Sequence, residues 1–168
     1  MSIGYMVPPE QAMIWRGPMV QSALIQMLDD VAWPQLDVLV LDMPPGTGDI
    51  QLTTAQRIPV DGAVIVSTPS ALAQADVARA TAMFEKTNVR VLGRVENMAF
   101  MTAPDGTQMH PFGKPGAEAL MSLPLDTAVH TAAETGVPVV IDTPQSPVAH
   151  AFGELAKKLT ALLEGNKT

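Results

Sequence analysis

The stretch that most constrains this chain is Leu-Asp-Val-Leu-Val-Leu-Asp-Met-Pro-Pro-Gly-Thr-Gly-Asp-Ile-Gln-Leu, residues 36–52. Its first part is an apolar run without strict alternation, the pattern of a strand covered on both faces of a parallel sheet. The run ends in Asp42, and Pro44 and Pro45 block continuation as either strand or helix. Gly46 and Gly48 then permit close backbone approach, while Thr47 and Asp49 add a hydroxyl and a second acid. Open parallel sheets place ligands beyond the carboxyl ends of their strands, which makes Asp42 a candidate site residue. A loop of free amides with two carboxylates suits a water or Mg²⁺ beside a phosphate chain. The plainer reading of Asp42, a strand-ending acid that caps the next turn, stands beside this one.

Around that stretch the pattern alternates strand and helix. Met-Ser-Ile-Gly-Tyr-Met at 1–6 reads as a short strand, and a helix is expected from near Pro18, a residue suited to a first turn. Residues 36–42 read as a strand, 50–58 as a short helix and 61–69 as a second strand. Residues 70–87 read as a helix capped by Ser70, with Leu72, Ala75, Val77, Ala80 and Phe84 as its apolar set. Residues 89–97 form a third strand, followed by a long loop or hairpin whose Asp105-Gly106 is a turn signal. A short helix at 116–121, an extended segment at 123–126 and a helix at 127–136 closed by Gly136 come next. Residues 137–141 read as extended, and a last helix starts at Ser146 and Pro147. This order predicts an α/β fold with parallel strands and right-handed crossovers.

Composition narrows the function classes. With 168 residues one domain is expected. The net charge of −7 and the lack of any basic cluster argue against a nucleic-acid surface. Cysteine is absent, which removes disulfides, thiolate metal sites and thiol nucleophiles. The histidines, His110, His130 and His150, have no ligand-like spacing. No signal-peptide pattern or membrane-length apolar run is evident, so a cytoplasmic location without membrane attachment is expected.

Residues 42–49 resemble the second switch of nucleotide hydrolases of the deviant P-loop class. The match is closest to the Mrp (ApbC) family of iron–sulfur cluster carrier ATPases. It extends through "MIWRGPMVQSALIQML", "LDVLVLDMPPGTGDIQLT", "GAVIVSTP", "VLGRVENMAF", "FGKPGAEAL", "LPLDTAVHTAAETGVPVV" and "SPVAHAF". The resemblance implies a three-layer α/β/α P-loop NTPase-like domain with a mostly parallel sheet, residues 1–168 forming part of it. It further implies ATP binding and hydrolysis with Mg²⁺, a [4Fe–4S] cluster and metal binding, iron–sulfur cluster assembly, a homodimer and iron–sulfur client proteins. By the same resemblance Asp42 is the acid that holds Mg²⁺ through water, Gly46 senses the terminal phosphate, and Asp49 couples the switch to a partner subunit. Asn97 would read the adenine edge, with donor and acceptor on one amide; an ordinary strand terminator is the alternative. Pro124, Leu125 and Asp126 would pack beside base and ribose, with Thr68 and Pro69 on the same rim. Trp15 and Arg16 fall either near the subunit interface or in ordinary helix packing.

Three departures from the family follow. The glycine-rich loop with lysines that cradles phosphates has no counterpart, since Lys86, Lys114, Lys157, Lys158 and Lys167 stand in no such loop. The chain thus resembles the C-terminal two thirds of the family, with the P-loop strand that belongs between 37–42 and 63–68 missing. That predicts a truncated or degenerate copy that alone hydrolyses no ATP. The second departure is at the Cys-x-x-Cys position, where Ala103 and Asp105 stand; Met109 and His110 cannot replace thiolates, so no cluster ligands are identified. Third, only Met121 separates the 112–120 segment from 122–126, which predicts the loss of a sheet edge. Two other functions remain open: a non-catalytic interaction module that keeps the switch loop and dimer surface, and a MinD-like partitioning ATPase, which would need a basic membrane helix at the C-terminus.

Overall fold

The computed structural model describes residues 1–5, 17–43 and 48–165. They fall into two compact units, Met1–Pro59 and Val60–Thr168.

In the first unit the strand expected at the start is not formed. Ile3–Tyr5 is instead a 3₁₀ turn. The Tyr5 N–H donates to the Ser2 carbonyl at 3.0 Å and the Gly4 N–H to Ser2 Oγ at 3.2 Å, so the backbone is satisfied locally. Helix α1, Gly17–Asp29, begins where Pro18 predicts and buries Ala23. Past its end the Trp33 indole Nε1–H donates to the Leu28 carbonyl at 3.2 Å, satisfying one of the terminal acceptors. Helix α2, Asp49–Arg57, packs against α1 and buries Gln51 and Thr54.

Between these helices residues 36–42 are not a strand. Leu36, Val38, Leu39 and Val40 are 44, 51, 43 and 83% exposed. The apolar run has the propensity but no ladder partner among the described residues. Backbone groups without a ladder must stay hydrated, and that keeps the segment at the surface.

The second unit is built on β2, Val91–Thr102. Strand β1, Ala63–Ser67, pairs with it in parallel, with Ile65 opposite Arg94 and Ser67 opposite Glu96. Strand β4, Met121–Pro124, pairs in parallel on β2 as well, with Val95 opposite Met121 and Phe100 opposite Pro124. The two-residue β3, Gln108–Met109, folds back on β2 antiparallel at Met101 and Thr102, around the turn expected at Asp105-Gly106. The result is an open, mostly parallel sheet. Among the described residues β1 pairs on one side only, and its Val66 is 63% exposed.

Helix α3, Ala71–Lys86, starts at Ser70, whose Oγ accepts from the Ala73 N–H at 3.2 Å. It lies on β1 and β2 and buries Met83, whereas Leu72, expected on the apolar face, is 83% exposed in the first turn. Helix α4, Thr127–Thr135, is closed by Gly136 in the left-handed region at φ +72°, as the sequence predicts. Helix α6, Pro147–Glu164, is capped by Ser146 and packs on β4.

Two local expectations change. Residues 137–141 do not stay extended, because Val139–Asp142 form the short helix α5. Val139 is buried with Ala132 and Val148, and that burial outweighs the extended preference of β-branched residues. The 116–121 helix is not formed either. The Leu120 N–H, which would close a helical turn on Gly116, donates instead to the Arg94 carbonyl at 2.8 Å and leads the chain into β4.

Val148 is fully buried among Ala132, Val139 and Phe152. Val148→Ala is expected to destabilise the protein by about 2 kcal/mol, mostly through the cavity left behind. Ser70→Ala is expected to cost about 1 kcal/mol through loss of the α3 cap. Urea unfolding followed by circular dichroism checks both, and an unchanged midpoint for Val148→Ala would contradict this account of the core.

Candidate nucleotide site

Strands β1, β2 and β4 run parallel, so their carboxyl ends face the same way, and several expected site residues gather there. Asn97 follows Glu96 at a break in register. Between the Glu96–Ser122 and Phe100–Pro124 pairs β2 advances four residues while β4 advances two. The surplus residues form a bulge, with Met98 held at φ +54°. Asn97 Oδ1 accepts from the Met98 N–H at 2.9 Å, which steadies that strained turn. Bulges of this kind aim a side chain away from the regular pleat.

The β4 pairing carries the 124–126 segment alongside this bulge. The Leu125 N–H donates to the Phe100 carbonyl at 2.7 Å. Leu125 is 39% exposed. Asp126 Oδ1 accepts from the Ala128 N–H at 2.8 Å, so its carboxylate caps α4 and its contribution to the rim is through position. Thr68 and Pro69 lie one step past the Ser67–Glu96 pair. The Thr68 carbonyl accepts from Gln74 Nε2 at 3.1 Å, and Thr68 Oγ1 donates to Ser70 Oγ at 3.3 Å.

The switch residues belong to the first unit. Asp42 is exposed at the end of the 36–42 segment, and Asp49 is the first residue of α2. Gly46, with Thr47, Trp15 and Arg16, lies outside the described residues.

One side-chain group at this end was not anticipated. Glu96 is 1% exposed in the middle of the sheet, with Arg94 Nη2 3.4 Å from its Oε1. The signal was present in "GRVEN", where an arginine and a glutamate two apart share one face of an otherwise apolar strand.

The expectation of a [4Fe–4S] cluster and of metal binding by this chain is overturned. The sequence has no cysteine, and among the described residues no group of three or more His, Cys, Asp or Glu side chains could hold a metal ion. Where thiolates would stand, the β2–β3 hairpin is tied by its own polar groups. Asp105 Oδ1 accepts from the Thr107 N–H at 2.9 Å, and the backbone and hydroxyl of Thr107 hold the Asp105 carboxyl below its ordinary pKa. His110 Nδ1 lies 3.0 Å from the Ala99 carbonyl, a contact that makes it a donor. Neither group is arranged as an iron ligand.

The open, mostly parallel sheet with its helices is a P-loop NTPase-like α/β fold. Residues 1–160 match the model of the ParA-type family described as NUBPL iron-transfer P-loop NTPase, and the chain belongs to that family. It is 57% identical over 118 residues to the iron–sulfur cluster carrier protein of Escherichia coli K12, covering 70% of this chain and 32% of the relative. It is 52% identical over 119 residues to the iron–sulfur cluster transfer protein NUBPL of Dictyostelium discoideum, covering 70% of this chain and 37% of that protein. Among solved structures it is similar to a nucleotide-binding protein of Archaeoglobus fulgidus in complex with ADP. The TM-score there is 0.61 and the identity 37%, over 70% of this chain and 53% of the other. The chain therefore spans about a third of the length of these curated relatives.

Anaerobic incubation of the full chain with iron and sulfide is expected to leave no stoichiometric visible charge-transfer band, because no thiolate is available. A stable band that survives desalting would overturn that expectation.

Proposed function

We propose that this chain forms the switch and base-binding part of an ATP-dependent iron–sulfur cluster carrier. The observation that carries the proposal is the β2–β4 pairing, which sets the bulged Asn97 beside residues 124–126 at the carboxyl end of a parallel sheet. This is where folds of this class take nucleotides. Asn97 would read the adenine edge, with Pro124, Leu125 and Asp126 flanking base and ribose. Asp42, Gly46 and Asp49 would attend the phosphate end.

Mg²⁺ would arrive with the nucleotide and draw its oxygens from phosphates and water. The Asp42 carboxylate is exposed, which fits contact through water. When bound, the ion neutralises phosphate charge. A cluster would be cargo of the assembled carrier, held by groups this chain does not contain. A homodimer, iron–sulfur client proteins and a cytoplasmic setting accompany the reading by family likeness. No helix among the described residues is long and apolar enough to cross a membrane.

The partitioning-ATPase alternative loses ground at α6. Lys158 Nζ donates to the Leu120 carbonyl at 2.8 Å, and Lys157 Nζ donates to Glu154 Oε1 at 2.7 Å. The helix also buries Val148 and Ala149. It is a packed element of the domain and not a basic membrane strap.

Titration of ADP into the full chain, followed by amide resonances, is expected to move Asn97, Leu125 and Asp126 more than GDP does. Asn97→Ala should weaken ADP about tenfold, the size of one lost polar contact to the base. Unmoved resonances at saturating ADP would favour the interaction module. ATP incubated with the full chain is expected to release no phosphate above background in a malachite-green assay, because phosphate positioning dominates this chemistry. Turnover at an ordinary ATPase rate would refute that.

A further inference from the structure

Arg94 and Glu96 are the middle of a longer, partly buried relay. Glu96 Oε2 accepts from the Gly116 N–H at 2.9 Å. Arg94 Nη1 donates to Gln74 Oε1 at 3.0 Å, and Gln74 Nε2 donates to the Thr68 carbonyl. The line of contacts thus joins the loop at Gly116, the centre of β2, the first turns of α3 and the end of β1. A carboxylate this deeply buried survives only when paired and hydrogen-bonded. The relay meets that condition incompletely, because Arg94 Nε is buried without a partner among the described residues. Replacing a buried ion pair by apolar residues is often neutral or stabilising, so the pair by itself is weak evidence of a role in stability.

The loop it holds is shaped for the contact. A Cβ on residue 116 would come within 2.7 Å of Arg94 Nη2 and 3.2 Å of Glu96 Oε1, so a side chain there must displace the end of Arg94 that faces Glu96. Gly113 has φ +102°, and a Cβ there would meet the Pro69 carbonyl at 3.5 Å. Residues 110–119 are therefore a strap past the end of β1 and the middle of β2, and the Phe-Gly-Lys-Pro-Gly run at 112–116 supplies both glycines. On the other side of the relay, Glu96 is the last residue in register before the bulge that presents Asn97.

We propose that Glu96 is a positioning residue: its hold on the Gly116 amide fastens the 110–119 strap to the strand end that presents Asn97, so nucleotide occupancy and strap order rise together. The coupling rests on the nucleotide reading of Asn97, and the hold on Gly116 does not. A ligand that stiffens the bulge stiffens Glu96 and through it the strap, and by reciprocity a fastened strap favours the ligand. Gly116→Ala tests the same contact from the loop side without changing the charge of β2.

Hydrogen exchange of the full chain, with and without ADP, reads both parts. Without nucleotide, Glu96→Gln and Gly116→Ala should each raise exchange at residue 116 and its strap neighbours tenfold or more, while Val148→Ala, a core variant far in sequence from the relay, should not do so selectively. With ADP, strap exchange should fall in the wild type and in Val148→Ala but not in Glu96→Gln, whose ADP affinity should also drop severalfold. If neither strap variant speeds exchange without nucleotide, Glu96 is not a latch, whatever ADP does. If ADP binds the wild type and leaves strap exchange unchanged, the coupling is wrong although the nucleotide reading stands. If ADP does not bind the wild type, the nucleotide reading falls and the coupling with it, the latch being judged by the nucleotide-free arm.

Discussion

The pairing of β2 on both of its edges is the interaction on which the Val60–Thr168 unit depends. Val95 and Ala99 are almost fully buried along this strand, and β1 and β4 take their register from it. Helix α3 lies over its pairing with β1, and α6 is set by packing on β4. Because β2 is held from both sides, it can tolerate a break in the middle. The bulge at Asn97 and Met98 follows the last β1 pair at Glu96, and β4 picks up β2 again at Phe100, so the extra residues are accommodated where β1 ends.

The 36–42 segment shows the same rule from the opposite direction. Its apolar sequence is as strand-like as that of β1, yet Val40 is 83% exposed where Ile65 is 7% exposed. Side-chain character is similar in the two; the ladder is what differs. A parallel strand gains stability only when a neighbour accepts its backbone groups, and a run without one stays hydrated however apolar its side chains are. Among the described residues β1 also lacks a neighbour on one side, and its Val66 is exposed.

Family membership and metal chemistry separate cleanly in this protein. The family is one of iron–sulfur carriers, and the chain spans about a third of the length of its curated relatives. Its own residues carry no thiolate, and the hairpin at 103–109 is closed by Asp105, Thr107 and a turn at Gly106. Its polar side chains are concentrated instead around Asn97, Glu96 and Arg94, at the end of a parallel sheet. Among the described residues none of these groups forms a cluster that could hold a metal ion.

Much of this was legible in the order of residues. Ser70 and Ser146 cap α3 and α6, and Gly136 closes α4, because helix ends have local donors and acceptors that only certain side chains satisfy. The parallel α/β class followed from apolar runs spaced by helices, whereas the grouping of Asn97 with Pro124, Leu125 and Asp126 came from the family resemblance and not from the residue pattern. What the tertiary structure decided were the outcomes of long-range competition. Whether 36–42 pairs, whether Val139 leaves an extended path for a buried one, and whether Leu120 bonds to Gly116 or to Arg94 all depend on neighbours distant in sequence. So does the partner of Glu96, which the sequence marks only as a charge on an apolar strand. Local hydrogen bonds are written into a few adjacent residues, whereas a ladder, a core or a buried ion pair exists only once distant segments have met.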